Sequence, residues 1–470
     1  MDKIYTKDNY HVCYTLYSYV TPFLSLGEKI MQKDTGSLAR VNSSGKQSEE
    51  LFFQAYKKSF LTAVKWNIFE SIGYQFIFIA HQVGLFFYCD RLLYGKIGVL
   101  ISCSYLSVTL LIAGLDGGLL PFFKNFISDK RSFYFLLFHY VGKQFLFIIG
   151  ITFLGITGII IFDMFPSFTP EILFLTALFI ITESIKKLLK QILYLAFYNR
   201  YTAPIEVIQI LVYSLSIWTV FWLTGSFSLK LFLVPFIVCS FFSNIAFGYL
   251  LFLYYQTLPL TTSLPPLPTQ KLFLVTRVAV LINQLCRSFF TTNFLVPLFS
   301  LHGTFKEAGV MTFVNYLTHA VTFLLNKICV PPSEAFFSRI KNFSNALHYK
   351  ALSIVLSLFA GITFVLGLLI FFKGKSYALL LGYEGCTGLT WNLILLFLFI
   401  HLLENIFIIY EKFFLLRGKV EMLALGNLFT CVLCLLLGKF YFSFFTLVFF
   451  CIFVRFLFFF ILSLAVARSK

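Results

Sequence analysis

Between Lys65 and Phe122 two long apolar spans are joined by a short polar elbow, Asp90-Arg91 followed by Tyr94-Gly95. The second span closes on Gly114-Leu115-Asp116-Gly117-Gly118-Leu119. At about 1.5 Å per residue each span can cross about 30 Å of hydrocarbon. A bilayer gives backbone amides no alternative partner, so a single crossing segment has to be helical. This stretch therefore reads as a helical hairpin in a membrane, and the rest of the chain repeats it.

Composition extends that reading to the whole chain. Only 12% of the 470 residues are charged and 59% are hydrophobic, whereas soluble domains carry about 25% charged residues. The formal charge of +17 would suggest nucleic acid in a soluble protein. Here the basic residues sit mostly in short loops between spans, so no nucleic-acid partner is expected. The ten cysteines are scattered, mostly within apolar spans. Cys431 and Cys434 form a CxxC with no second pair and no His cluster, so the cysteines read as small buried apolar residues. His81, His139, His319 and His401 lack paired metal spacing and read as packing residues. No metal and no cofactor is expected.

Residues 1–56 are polar and mixed, without a cleavable-signal pattern. They read as a cytoplasmic segment that is disordered or lies on the membrane surface. Spans are expected near 62–88, 96–120, 134–162, 172–197, 202–224 and 229–255, then 272–299, 308–330, 347–372, 388–410, 421–438 and 441–466. The Pro/Thr-rich stretch 256–271 separates the two sets of six. The expected organisation is thus a segment 1–56, a first lobe 57–255, a linker 256–271 and a second lobe 272–470. Lys and Arg concentrate on one side, including Lys124, Lys130, Lys186, Lys187, Lys190, Arg339 and Lys412, which places both termini in the cytoplasm. The helical hairpin at Tyr94 is echoed at Ala308, and spans four and ten each carry one acidic residue, Glu183 and Glu404. Two halves with an even number of spans should be related by an axis along the membrane normal.

Outer loops are short, and no phosphate-cradling glycine motif is present, so the chain is not expected to be an enzyme or to carry its own ATPase. Function then lies with ionisable residues inside spans, which are costly unless they face a cavity or a partner. The cations are Lys65, Lys143, Arg287 and Arg455; the acids are Glu70, Asp116, Glu183 and Glu404. Lys65 and Asp116 lie within snorkelling reach of an interface. Lys143, Arg287 and Arg455 either pair internally or line a cavity. Glu404 shares a helical face with His401, which suits either a proton site or an interhelical hydrogen bond.

The basic-flanked first span, the elbow ending Tyr94-Gly95 and the close on Gly114-Leu115-Asp116-Gly117-Gly118-Leu119 resemble the polysaccharide-export branch of the multidrug/oligosaccharidyl-lipid/polysaccharide (MOP) flippase superfamily. In its spans and lobes the chain is similar to Wzx-type O-antigen flippases. The resemblance implies an all-α polytopic membrane protein of about twelve transmembrane helices, in two pseudo-symmetric six-helix lobes (MOP/MATE-like) around a central cavity. It implies a flippase that moves an undecaprenyl-diphosphate-linked oligosaccharide from the inner to the outer leaflet of the bacterial cytoplasmic membrane, by alternating access. Cations fixed in a low-dielectric cavity suit a pyrophosphate: Arg287 first, because its guanidinium forks match phosphate oxygens, then Lys65, Lys143 and Arg455. Asp116 would cap helix ends or gate the cavity. Glu70, Glu404 and His401 are the candidates for coupling to H+ or Na+. The alternatives are an ion-coupled multidrug or metabolite exporter of the same superfamily, an unrelated twelve-span carrier, and a membrane enzyme of glycan assembly.

Overall fold

The computed structural model describes residues 45–127, 129–163, 167–260, 270–288, 312, 328–341, 343–380, 406, 408–415 and 420–438. Side chains are described at these positions except 45–48, 270, 287–288, 365–380, 420, 430–431 and 433–438. The chain divides into two compact units, Met1–Lys58 and Ser59–Lys470. In the first, residues 45–58 are helical.

Helix α1, Gly45–Tyr88, is 44 residues long, about 66 Å at 1.5 Å per residue. It begins well before the expected span at 62, where the sequence suggested only a polar tail. Its run from Lys46 to Ile72 holds neither proline nor glycine, so nothing breaks it. Helix α2, Arg91–Ile112, follows after an elbow tighter than expected. The Asp90 carboxylate caps α2 by accepting from the Leu92 and Leu93 amides at 3.2 and 3.4 Å. Tyr94, in the first turn of α2, is 2% exposed, and its hydroxyl donates to Gln82 Oε1 at 3.0 Å.

The second span ends at Ile112, not near 120. Ala113 (φ 51°) and Gly114 (φ 68°) both adopt the left-handed conformation, which ends a helix and redirects the chain. Short turns at Leu115–Gly118, Leu120–Phe122 and Phe123–Phe126 follow, almost wholly buried. Helix α3 spans Lys130–Ile161 and contains a π-helical stretch, Leu136–Gly142. Helices α4 (Pro170–Leu195), α5 (Asn199–Thr224) and α6 (Leu229–Thr257) lie within two to three residues of the expected boundaries.

In the second half, α7 covers Gln270–Ser288, α8 Asn345–Leu380 and α9 Val420–Gly438, with further helical turns at 328–340 and 408–415. The expected eighth, tenth and twelfth spans, and the part of the seventh beyond Ser288, fall mostly or wholly outside the described residues. Among the described residues there is no strand, and α2, α3, α5, α6 and the Asn345–Phe364 part of α8 are each long and apolar enough to cross a membrane.

Helices α1, α2, α5 and α6 meet around Leu85, Ile97, Ile210, Ile217 and Phe232. The opposite surfaces are apolar and exposed, as with Leu146, Phe147 and Leu154 on α3, which is what a lipid-facing helix shows. The end of the molecule that carries Lys124, Lys190, Arg339 and Lys412 is called the basic end here; the opposite end carries the Asp90 elbow.

Candidate functional site

Among the described residues, buried charged groups gather chiefly in two places. One is a triad within the first half. Lys190, on α4, lies 2.9 Å from Glu70 Oε1 on α1 and 2.8 Å from Glu206 Oε1 on α5. The Tyr194 hydroxyl, one turn along α4, donates to Glu70 at 3.0 Å. All three charged groups are at least nine-tenths buried. Burial strips each of its hydration, so the lysine is retained only because two carboxylates replace the lost water. Asn199 donates to Asn67 at 2.8 Å one turn below. A neighbouring layer joins Glu183 to Lys186 at 2.6 Å and to the Ser240 hydroxyl at 2.6 Å.

The other place is a seam at the basic end, where α7 and the turns at 328–340 and 408–415 meet the first half. Asp116 accepts from its neighbour Gly117 N at 2.8 Å, and across the seam from Gln284 Nε2 at 2.9 Å. Lys187 stands 3.4 Å from its other oxygen. Glu334 takes Lys412 at 2.6 Å and reaches back to Gln191 on α4. Arg277, on α7, donates to Gln144 Oε1 at 2.8 Å and to the Ala113 carbonyl at 3.4 Å. Ala113 can offer that carbonyl because the left-handed turn leaves it outside the α2 hydrogen-bond ladder. Lys341 donates to the Pro121 carbonyl at 2.7 Å. In the connecting segment beside it, burial and the nearby Arg339 hold the Lys124 amine below its ordinary value.

The glycines make the seam close. A Cβ on Gly114 would stand 2.3 Å from the Arg277 carbonyl oxygen and 2.8 Å from the Leu281 nitrogen. On Gly117 it would meet Val280 Cγ1 at 2.8 Å, and on Gly118, Arg277 Cγ at 2.9 Å. Three glycines in five residues thus let the end of the second span lie backbone-to-helix against α7. A second close approach, Gly98 against Thr312, lies nearer the elbow.

These positions account for some of the expected site residues. Asp116 joins the seam; it pairs with a lysine of its own half and takes an amide from the other. Glu70 joins the triad. Lys143 and Lys65 join neither. Lys143 is exposed on the stripe of α3 that also carries Phe147 and Leu154, the position of a snorkelling lysine. Lys65 is exposed on the stripe of Phe69, Ile72 and Phe76. Arg287 falls within α7, but its side chain, like Arg455, Glu404 and His401, lies outside the described residues.

Lys190, Glu206, Gln284, Glu334 and Lys412 were not singled out from the sequence. Lys190 and Lys412 had been counted as loop cations. For Lys190 the signal was present in the run Glu183, Lys186, Lys187, Lys190: steps of three and four put a polar face on an apolar helix.

No protein-family model and no curated protein matches the chain. Solved structures do. A eukaryotic MATE transporter, AtDTX14, superposes with TM-score 0.62 at 12% identity, over 89% of this chain and 97% of that one. A multidrug resistance MATE family transporter of the MOP superfamily in an outward-facing conformation gives 0.60 at 13% identity, over 88% and 97%. A variant of the Vibrio cholerae MATE transporter VcmN gives 0.60 at 10%, over 89% and 98%. The chain therefore has the fold of the MATE transporters, all-helical among the described residues, five of whose helices are long and apolar enough to cross a membrane.

Proposed function

We propose that the chain is an ion-coupled alternating-access exporter, in which the seam at the basic end opens and closes and the Glu70–Lys190–Glu206 triad carries the coupling ion. The triad supports this reading most directly. Two buried carboxylates share one lysine, which leaves one net negative charge inside the first half. Binding one H+ or Na+ there removes that charge, and the free energy of a buried unpaired charge is large enough to move helices. The seam supplies the second requirement, two halves held by contacts that can separate: five hydrogen-bonded crossings, with the Phe273 ring of α7 against Phe122, Phe126 and Tyr140 beside them. The basic end would face the cytoplasm, with both termini on that side.

The test is transport by the purified protein in liposomes under an imposed pH gradient or Na+ gradient, with small organic cations and neutral drugs as cargo. Gradient-driven efflux that is lost in Glu70→Gln supports the reading. Efflux that ignores both gradients overturns the coupling.

A second reading has its own observation. Lys187, Lys412, Arg277, Lys341 and Lys124 crowd the seam against three carboxylates, Asp116, Glu334 and Glu411. On opening, this surplus of cations would face the basic end and suit an anionic headgroup, as a flippase of a lipid-linked (undecaprenyl-diphosphate) oligosaccharide in a bacterial cytoplasmic membrane requires. Arg287 and Arg455 would extend the cationic path. Transbilayer movement of a fluorescent undecaprenyl-diphosphate oligosaccharide in the same liposomes, without drug efflux, decides for it.

A further inference from the structure

Above the triad, the buried face of α1 carries polar atoms that no protein group satisfies. Ser71 Oγ, Gln75 Oε1 and both ring nitrogens of His81 have no protein hydrogen-bond partner, and neither has Ser214 Oγ on α5. Their residues are 0, 4, 2 and 7% exposed. With 3.6 residues per turn, Glu70, Ser71, Gln75 and His81 fall within an arc of about 140°. Glu70 to His81 is eleven residues, about 16 Å along the axis.

Helices α1 and α5 run side by side in the same direction. Asn67 meets Asn199, Gly73 backs onto Val207, and the His81 ring lies 5.2 Å from that of Tyr213. That register sets Ser214 level with His81. Ser71 and Gln75 share the side of α1 that carries Gln82, which meets Tyr94 of α2, while His81 and Ser214 lie on the α5 side, so the four form a column that winds about a third of a turn around α1 from the triad toward the elbow end.

Native interiors satisfy buried polar atoms almost without exception, and where protein does not, ordered water does. A lone orphan is a packing accident; four polar residues in one column are a lining. We infer that this column lines a hydrated path inside the first half, by which protons reach the triad from the elbow end. The inference rests on the coupling reading above and takes the ion to be H+.

His81 is built for such a relay. One ring nitrogen accepts a proton from water on the elbow side while the other releases its own toward Gln75, so one proton enters and one is delivered to Glu70 or Glu206. The groups packed at its level are the rings of Tyr213 and Trp218, with Tyr94, Cys89 and Cys239 in the same cluster. The charged groups on the surrounding elements are Asp90, Arg91 and Lys96 at the elbow end, the Glu183–Lys186 pair, whose lysine reaches Gln209 on α5 at 3.4 Å, and the triad.

The test uses the full chain in liposomes with Ser71→Cys, Gln75→Cys and Ser214→Cys made singly. Each is treated with 2-aminoethyl methanethiosulfonate and read by peptide mass, so that native cysteines are scored separately. Ile210→Cys, in the apolar core of the same helices, is the dry control. A hydrated column labels at least about tenfold faster than the control, because only solvated thiolate reacts. Labelling no faster than Ile210→Cys overturns the path, even where the parent protein proves to be proton-driven.

A second arm compares pH-gradient-driven transport and internal acidification, read with a trapped pyranine dye, in His81→Phe and His81→Gln. Both should slow proton entry by about tenfold or more. A purely structural histidine would instead be rescued by the ring-shaped phenylalanine, and that result overturns the relay. Fast column labelling in a parent protein that moves no protons would sink both the proton role and the coupling reading, leaving only a wet cleft.

Discussion

Gly114→Ala puts the seam under direct stress. The added methyl would stand 2.3 Å from the Arg277 carbonyl oxygen, where ordinary contact begins near 3.4 Å. The backbones must therefore part by about 1 Å, since neither partner is a side chain that can swing aside. Overpacking of this kind costs about 1–3 kcal/mol, and it falls only on the closed seam. The left-handed backbone adds about 1–2 kcal/mol, but that strain is carried whether the seam is open or closed and does not shift the balance. At about 1.4 kcal/mol per factor of ten, the closed population should fall by about 5- to 150-fold relative to the open one. Spin labels at the exposed Arg131 and Lys350 report the separation of the two halves at the basic end by pulsed electron resonance. The distance distribution should move to longer values in Gly114→Ala. It should move less in Gly118→Ala, whose nearest neighbour is the flexible Arg277 side chain, and not at all in Gly150→Ala, which has nothing within 4 Å. Equal distributions in all three would refute the close-approach reasoning.

Three further outcomes follow from the same geometry. Lys190→Met strands two buried carboxylates and should destabilise the protein by about 3–5 kcal/mol, read by denaturant unfolding in detergent; restoration toward parent stability by Glu206→Gln in the same chain checks that charge, not packing, is responsible. Lys412→Met and Glu334→Gln, made singly and together, should show a coupling energy of about 1–3 kcal/mol in a double-mutant cycle, and additive effects would mean that the 2.6 Å pair contributes nothing specific. Lys143→Gln should leave transport within about twofold of the parent, because a lysine on a lipid-facing stripe only snorkels; a loss comparable to that in Glu70→Gln would instead restore Lys143 to the cargo path.

The sequence disclosed the membrane class, the spacing of α4 to α6 and the importance of the Gly114–Leu119 segment, because each rests on local chemistry. Apolar length fixes a crossing helix regardless of its neighbours, and a cluster of glycines signals close backbone approach. What stayed hidden depended on pairing between distant residues. Lys190 and Lys412 look like flanking loop cations, since hydropathy does not report that Glu70, Glu206 and Glu334 lie where they can neutralise them. Lys143, buried in an apolar run, looked internal; only the packing of Gln144 and Ile148 inward shows that its neighbour faces outward. The left-handed turn at Ala113 was likewise illegible, because alanine carries no signal for positive φ.

The central claim is that the seam between the Gly114–Leu119 segment and α7 opens during transport. Gly117→Cys with Val280→Cys tests it most directly. A Cβ at position 117 lies 2.8 Å from one Val280 methyl and 3.7 Å from the other, so the two Cβ atoms should fall within the roughly 3.5–4.5 Å that a disulfide needs. Transport by the double variant in liposomes would be followed under oxidant and again after reductant, with each single variant alongside. The account predicts that oxidation stops transport in the double variant alone and that reduction restores it. Undiminished transport with the cross-link fully formed would contradict it, because cargo would then be crossing a protein whose seam cannot open.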